Sequence, residues 1–190
     1  MNHIPQNNPG FKTQAPPPVA VNTLSQKEKA DGWELLFDGK SLNKFHTFKT
    51  KEVDSKWHIE GETLCFNPQR TGKGGDIVSN KTYENFELNL EWKISNCGNS
   101  GIFYNVVEDE KFCCTWQTGP EMQILDNTCH PDTKYVTHLA GDLYDMIACK
   151  HVTVNPAGQW NKVRLISKNG NVNFWLNGLE VVQFKMHDEN

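Results

Sequence analysis

Phe86-Glu87-Leu88-Asn89-Leu90-Glu91-Trp92-Lys93-Ile94 alternates apolar and polar side chains without a break. Side chains two apart share one face of an extended strand. Phe86, Leu88, Leu90, Trp92 and Ile94 therefore make an apolar face, and Glu87, Asn89, Glu91 and Lys93 a polar one. A strand of this kind belongs to an antiparallel sheet with one side on a core and the other in water. Short segments of similar character lie on both sides of it. Trp57–Glu60 turns at Gly61-Glu62 into Thr63–Phe66, and Asp76–Ser79 and Ser100–Val106 read as further strands. Trp160–Ser167 turns at Lys168-Asn169-Gly170 into Asn171–Leu176, which turns at Asn177-Gly178 into Leu179–Phe184. Asn-Gly between alternating runs is a strong hairpin signal. Trp33–Phe37, running into Asp38-Gly39, reads as one more strand. About ten strands with regular turns, no βαβ alternation and no internal repeat describe an all-β sandwich or barrel.

The ends differ from this pattern. Residues 1–22 hold five prolines among Asn, Gln and Thr, with little to bury, and read as a disordered or extended Pro-rich leader. The polar residues after Met1 do not make an intact signal peptide. A Pro-rich tether following a removed signal would fit an exported protein. Leu24–Ala30 reads as a short helix, with Ser25 as N-cap and Glu28 three residues on, as in a capping box. The sandwich is expected over residues 23–190.

Composition narrows the partners. With 190 residues and a net charge of -4, the chain suits one domain. It has no Lys/Arg block, so nucleic acid and anionic membrane are poor partners. No apolar run approaches the ~20 residues of a membrane span. The 10 Phe, 6 Trp and 4 Tyr suit a wide core, and exposed rings among them would suit stacking on sugars. The faces of Trp116 and Trp160 cannot be assigned from sequence. The six cysteines form no CxxC and specify no pairing, so buried thiols are favoured, with room for one or two disulfides. If Cys113 and Cys114 lay in a strand, they would face opposite ways and would not share a metal.

The most polar strand is Glu121-Met122-Gln123-Ile124-Leu125. Glu121 and Gln123 share a face, and Met122 and Ile124 point to the core. Asp126 ends the strand and leads into a long loop containing His130, Asp132 and His138. A carboxylate pair, an amide and imidazoles within a short span can bind hydroxyls and move protons. Glu121, Asp126 and His130 are the expected catalytic groups. Gln123, Glu91, His138, Asp142 and Tyr144 are expected to contact substrate. No cofactor is expected. Asp126, His130 and Asp132 could offer hard ligands to a divalent metal, but their spacing matches no metal motif.

Seven motifs in order carry a resemblance: Gly32-Trp33-Glu34-Leu35-Leu36-Phe37-Asp38-Gly39; Phe86-Glu87-Leu88 with Glu91-Trp92-Lys93; Asn99-Ser100-Gly101-Ile102; Pro120-Glu121-Met122-Gln123-Ile124-Leu125-Asp126; Ala140-Gly141-Asp142-Leu143-Tyr144-Asp145; Trp160-Asn161; and Leu176-Asn177-Gly178. Together they resemble the 3-keto-disaccharide hydrolase domain family, once a domain of unknown function. The resemblance implies a concanavalin A-like lectin/glucanase jelly roll of two antiparallel sheets. It also implies an exported bacterial protein, periplasmic or at the cell surface, that cleaves glycosides already oxidised at C3. Family members usually continue into a Gly-x-Ile-x-Leu-Gln strand and a Phe-Arg-Asn strand. The chain stops at Asn190 without them, so the sandwich is expected either to be cut short before its final strands or to have a tail that differs from the family pattern.

With a 3-keto-glycoside as substrate, Glu121 or His130 is the expected base for the C2 proton. Asp126 would be the acid or the orienter of His130, and Gln123 a hydroxyl clamp. Displacement by two carboxylates is a rival route. A non-catalytic carbohydrate-binding module and a surface scaffold are rival functions, because fold does not dictate chemistry.

Overall fold

The computed structural model describes residues 21–186. The expected leader lies almost wholly outside them. Helix α1 (Gln26–Ala30) starts as its sequence prescribes. The Ser25 hydroxyl oxygen accepts from Glu28 N, and the Glu28 carboxylate accepts from Ser25 N at 2.7 Å.

Ten strands follow among the described residues: β1 (Phe45–Thr47), β2 (Trp57–Glu60), β3 (Thr63–Phe66), β4 (Ile77–Ser79), β5 (Phe86–Trp92), β6 (Asn99–Phe103), β7 (Glu121–Leu125), β8 (Asn161–Lys168), β9 (Asn171–Leu176) and β10 (Leu179–Lys185). Every pairing is antiparallel. One sheet runs β10-β9-β8-β5; the pairs β1-β4, β2-β3 and β6-β7 make up the rest. The free edge of β7 is covered by the segment around Leu143, which bridges to Met122.

The turns behave as read. Asn177 and Gly178 have φ of 51° and 88°, and Asn169 and Gly170 have 50° and 78°. Two consecutive positive-φ residues make the hairpin turn whose twist matches that of the strands it joins.

The core lies between the four-stranded sheet and the β6-β7 layer. Trp92, Val163, Leu165, Val172, Phe174 and Leu176 meet Met122, Ile124, Leu125 and Leu143 in one buried cluster. In β8 the alternation of buried and exposed residues is strict from Asn161 to Leu165. A one-residue slip would turn Val163 and Leu165 to solvent, which fixes the register. The outer face of this sheet carries charge pairs, with Arg164 bonded to Glu87 at 2.6 Å and stacked on Trp175.

Two expectations about strands are corrected. Trp33–Phe37 is not a strand. The Leu35 carbonyl accepts from the Lys44 ammonium at 2.7 Å, and Glu34 pairs with Lys44 and Lys81. Side-chain cations, rather than a neighbouring strand, therefore hold that stretch. Phe45–Thr47, not expected as a strand, pairs with β4.

Cys97 and Cys129 form a disulfide. One disulfide falls within the one or two for which the sequence left room, but the free thiols are not buried: Cys113 is exposed, and Cys65, Cys114 and Cys149 are half-buried. Cys113 and Cys114 lie in a loop before a 3-10 turn at Thr115–Gln117, and their sulfurs touch. The strand geometry that would have separated them does not apply.

Candidate active site

Strand β7 sets the site. Glu121 is opposite Phe103, and Gln123 is opposite Gly101. Opposed residues share a face, so Asn99, Gly101 and Phe103 lie on the face that carries Glu121. The Glu121 side chain lies across Gly101. A Cβ at Gly101 would sit 2.7 Å from Glu121 Cγ and collide with its carboxyl. The glycine clears the space into which this carboxylate folds.

Folded down in this way, Glu121 is largely removed from water. Burial pushes its carboxyl up to about 7, and the negative charge of Asp76 adds to the shift. Asp76 precedes β4 and accepts from the Thr115 hydroxyl at 2.5 Å. It also lines an open cleft of about 590 Å³, together with Thr47, Asp54, Lys73, Cys113 and Cys114. That volume lies in the roughly 300–1,000 Å³ range of small-molecule sites. Asp76 was not anticipated from sequence. The Gly74-Gly75 turn immediately before it was the available signal.

From Gly101 the same face continues to Asn99, whose amide donates to Asp132 at 3.2 Å. Asp132 N donates to His130 Nδ1, also at 3.2 Å. The neutral His130 ring therefore carries its proton on Nε2 and presents a donor there. Tyr144 completes the group. Burial raises its phenol, and the charges of Asp132, Glu121 and Asp145 raise it further, so it stays protonated at neutral pH. Its backbone is tied to the Glu121 carbonyl at 3.0 Å.

His138 is buried and stacks on Tyr144 at 4.1 Å, with Tyr135 on it at 4.7 Å. Its Nε2 pairs with Asp145 at 3.2 Å. It props the Tyr144 ring, where sequence had suggested contact with substrate.

Four more expected residues stand elsewhere. Asp126 is an anchor for its own loop. It accepts from Cys97 N at 2.8 Å, Thr128 N at 3.0 Å and the Thr128 hydroxyl at 2.7 Å. These donors, the Thr128 hydroxyl first, hold its carboxyl below the usual range, so it keeps no proton to give. It does not orient His130; Asp132 does. Gln123 is 1% exposed, and its Oε1 accepts from Ile124 N, so it is no hydroxyl clamp. The alternation placed it on the correct face but could not show that this face is covered there.

Asp142 is fully buried and accepts from Leu139 N at 2.6 Å and Cys149 N at 2.7 Å. It fastens the loop that edges β7. Glu91 is on the outer face of the four-stranded sheet, paired with Lys162 at 3.2 Å. The core separates it from Glu121.

The suggested metal set is not assembled, because Asp126 is turned to its own loop. Cys97, Asp126 and Cys129 bring ligand atoms within 4.8 Å of one another, but the two sulfurs are bonded together.

A half-buried carboxyl on a β-sandwich, linked through Asp76 to an open cleft, is the arrangement to compare with known proteins. Residues 32–190 match the family model described as a 3-keto-alpha-glucoside-1,2-lyase-like domain. The chain belongs to that family. A curated relative from Bacteroides thetaiotaomicron, named 3-keto-disaccharide hydrolase, is 34% identical over 182 residues, covering 87% of this chain. The chain spans 63% of that relative's length. A crystal structure from Parabacteroides distasonis, described provisionally as a glycosyl hydrolase, superimposes with a TM-score of 0.79 at 34% identity. That match covers 88% of this chain and 78% of the other. A second structure from the same organism, at 22% identity and TM-score 0.60, shares the fold. Among the described residues, no helix is long and apolar enough to cross a membrane.

Proposed function

We propose that this domain cleaves 3-keto-glycosides, 3-keto-disaccharides among them, with Glu121 as the base that removes the C2 proton. The observation that carries the reading is the Glu121 carboxyl, raised to about 7 on the Gly101 shelf beside the cleft. A base with this pKa is matched to proton transfer at neutral pH. A ketone at C3 acidifies the C2 proton, which a carboxylate of ordinary basicity in water removes poorly.

The steps balance as follows. Glu121 takes the C2 proton, and the C2–H pair becomes the C1=C2 double bond. The C1–O bond breaks, and its pair leaves on the departing oxygen. That oxygen takes a proton from Tyr144 or His130, and the other donor holds the developing enolate at the C3 oxygen. Water then adds its hydroxyl to C1 and its proton to the depleted donor. Glu121 returns its proton to C2. The net change is hydrolysis. Stopping after elimination would be a 1,2-lyase reaction, so one site accounts for both words, lyase in the family description and hydrolase in the relative's name.

The family match supports the keto-sugar substrate, and the Cys97–Cys129 disulfide supports an oxidising, exported setting. The test is incubation with a 3-keto-disaccharide and with its unoxidised parent. Release of 3-keto-sugar from the first alone is expected. Equal cleavage of the unoxidised parent would overturn the reading.

A further inference from the structure

The cleft has a wall that proton transfer does not use. Trp116 is 65% exposed, the most exposed of the large aromatic side chains among the described residues. It lies in the 3-10 turn Thr115–Gln117, between the buried Thr115 that holds Asp76 and the Gln117 side chain. Gln117 Oε1 accepts from both Cys113 N and Cys114 N, at 2.6 and 3.3 Å, and clamps the turn from below. Cys113 and Cys114, which precede this turn, both line the cleft. The indole stands on this clamped turn next to the cleft wall, with most of its surface facing water.

The surrounding loop is anchored as well. Glu108 accepts from Lys49 N at 2.6 Å and pairs with His46 at 2.8 Å. A large apolar ring carried on a clamped turn beside a polar cleft is poised to stack on a partner with a flat apolar face. It loses little conformational freedom on doing so.

We propose that Trp116, braced by the Cys113-Cys114 turn, is the platform for the second sugar ring of the substrate, the ring that departs with the C1 oxygen. The proposal rests on the keto-glycosidase reading. Asp76 joins the two places: its charge acts on Glu121, and its carboxylate is held by the residue next to Trp116. A ring bonded at Glu121 would extend along the Asp76 side of the cleft toward the indole. The apolar C–H face of a pyranose is the chemistry that an indole face recognises.

The experiment compares Trp116→Ala, Trp116→Phe and wild type on a 3-keto-disaccharide and on methyl 3-keto-glucoside. Trp116→Ala should raise KM for the disaccharide about tenfold, or ~1.4 kcal/mol. It should leave kcat, and both constants for the methyl glycoside, within about twofold. Trp116→Phe should recover most of the loss. Equal effects on the two substrates, or none on either, would overturn the subsite.

A second measurement separates this proposal from the reading it rests on. The Trp116 indole N–H resonance, assigned by its disappearance in Trp116→Phe, is followed while unoxidised disaccharide or glucose is added. A saturable shift with the disaccharide and none with glucose supports the subsite even if wild type cleaves neither keto-sugar. No shift with the disaccharide, or an equal shift with glucose, counts against it.

Discussion

The Glu121 carboxyl lies on the backbone of Gly101, in space that any β-carbon at position 101 would fill. The two residues sit on neighbouring strands, diagonal to each other, because Gly101 opposes Gln123 and Phe103 opposes Glu121. A strand glycine is a local weakness, since it loses more freedom on folding and packs no side chain. Here its role is to let a carboxylate lie flat against the sheet and out of water.

Gly101→Ala should therefore remove activity more than it removes stability. The methyl group must push Glu121 off the shelf and back into water. We expect kcat/KM on a 3-keto-disaccharide to fall at least ~100-fold, with a stability cost of about 1–3 kcal/mol by urea denaturation. A Gly101→Ala enzyme of wild-type rate would mean the shelf has no part in the chemistry.

The pH profile follows from the Glu121 shift. The base must be ionised, so kcat/KM should rise through about 7 as pH increases. Removing the nearby charge with Asp76→Asn lowers the Glu121 pKa and should move this limb to lower pH. Stability changes in the opposite sense. A carboxyl raised in the folded state favours folding when protonated, and this contribution is lost as pH rises from its unfolded value through about 7. Glu121→Gln should then melt above wild type at pH 8 and show no such gain at pH 4. A limb that stays in place in Asp76→Asn would show that burial alone sets the shift.

The sheet pattern was legible because alternation has a period of two and the Asn-Gly turns have few alternatives. Strands β5, β8, β9 and β10 lie within a residue or two of where their side chains put them. The site was legible only in part. Glu121 and His130 could be singled out as candidates because strand-borne and loop-borne polar groups lie close in sequence. Asp76 is marked in sequence only by the Gly74-Gly75 turn before it, because Thr115 holds it across 39 positions and no local pattern encodes that contact. Asp126, Gln123 and Asp142 misled for a common reason. Buried polar residues that tie down loops have the same composition as residues that bind sugar, and only their hydrogen-bond partners distinguish them.

Substitutions at Asp126 and Glu91 test that distinction. Asp126→Ala leaves Cys97 N and Thr128 N unsatisfied and should cost about 1–3 kcal/mol of stability. The fraction that remains folded should keep a normal KM. Glu91→Gln, on the far face, should leave kcat/KM within about twofold. A selective loss of kcat in either variant, with the fold intact, would return that residue to the catalytic machinery.

The Cys97–Cys129 disulfide pins the turn before β6 to the start of the loop that carries His130 and Asp132. It closes a separation of 32 residues. Replacing both cysteines with serine should lower stability by about 2–4 kcal/mol. Because the loop also holds Asp132 against Asn99, kcat should fall as well. Unchanged melting under reducing and oxidising conditions would count against this bond as a structural element.

The central claim is that Glu121 is the base. Its most direct test is kcat/KM of Glu121→Gln against wild type on one 3-keto-disaccharide at pH 8. Glutamine keeps the shape of the side chain and removes only its capacity to take a proton. The account predicts a loss of at least ~100-fold with the fold intact. A Glu121→Gln enzyme within about threefold of wild type would contradict it.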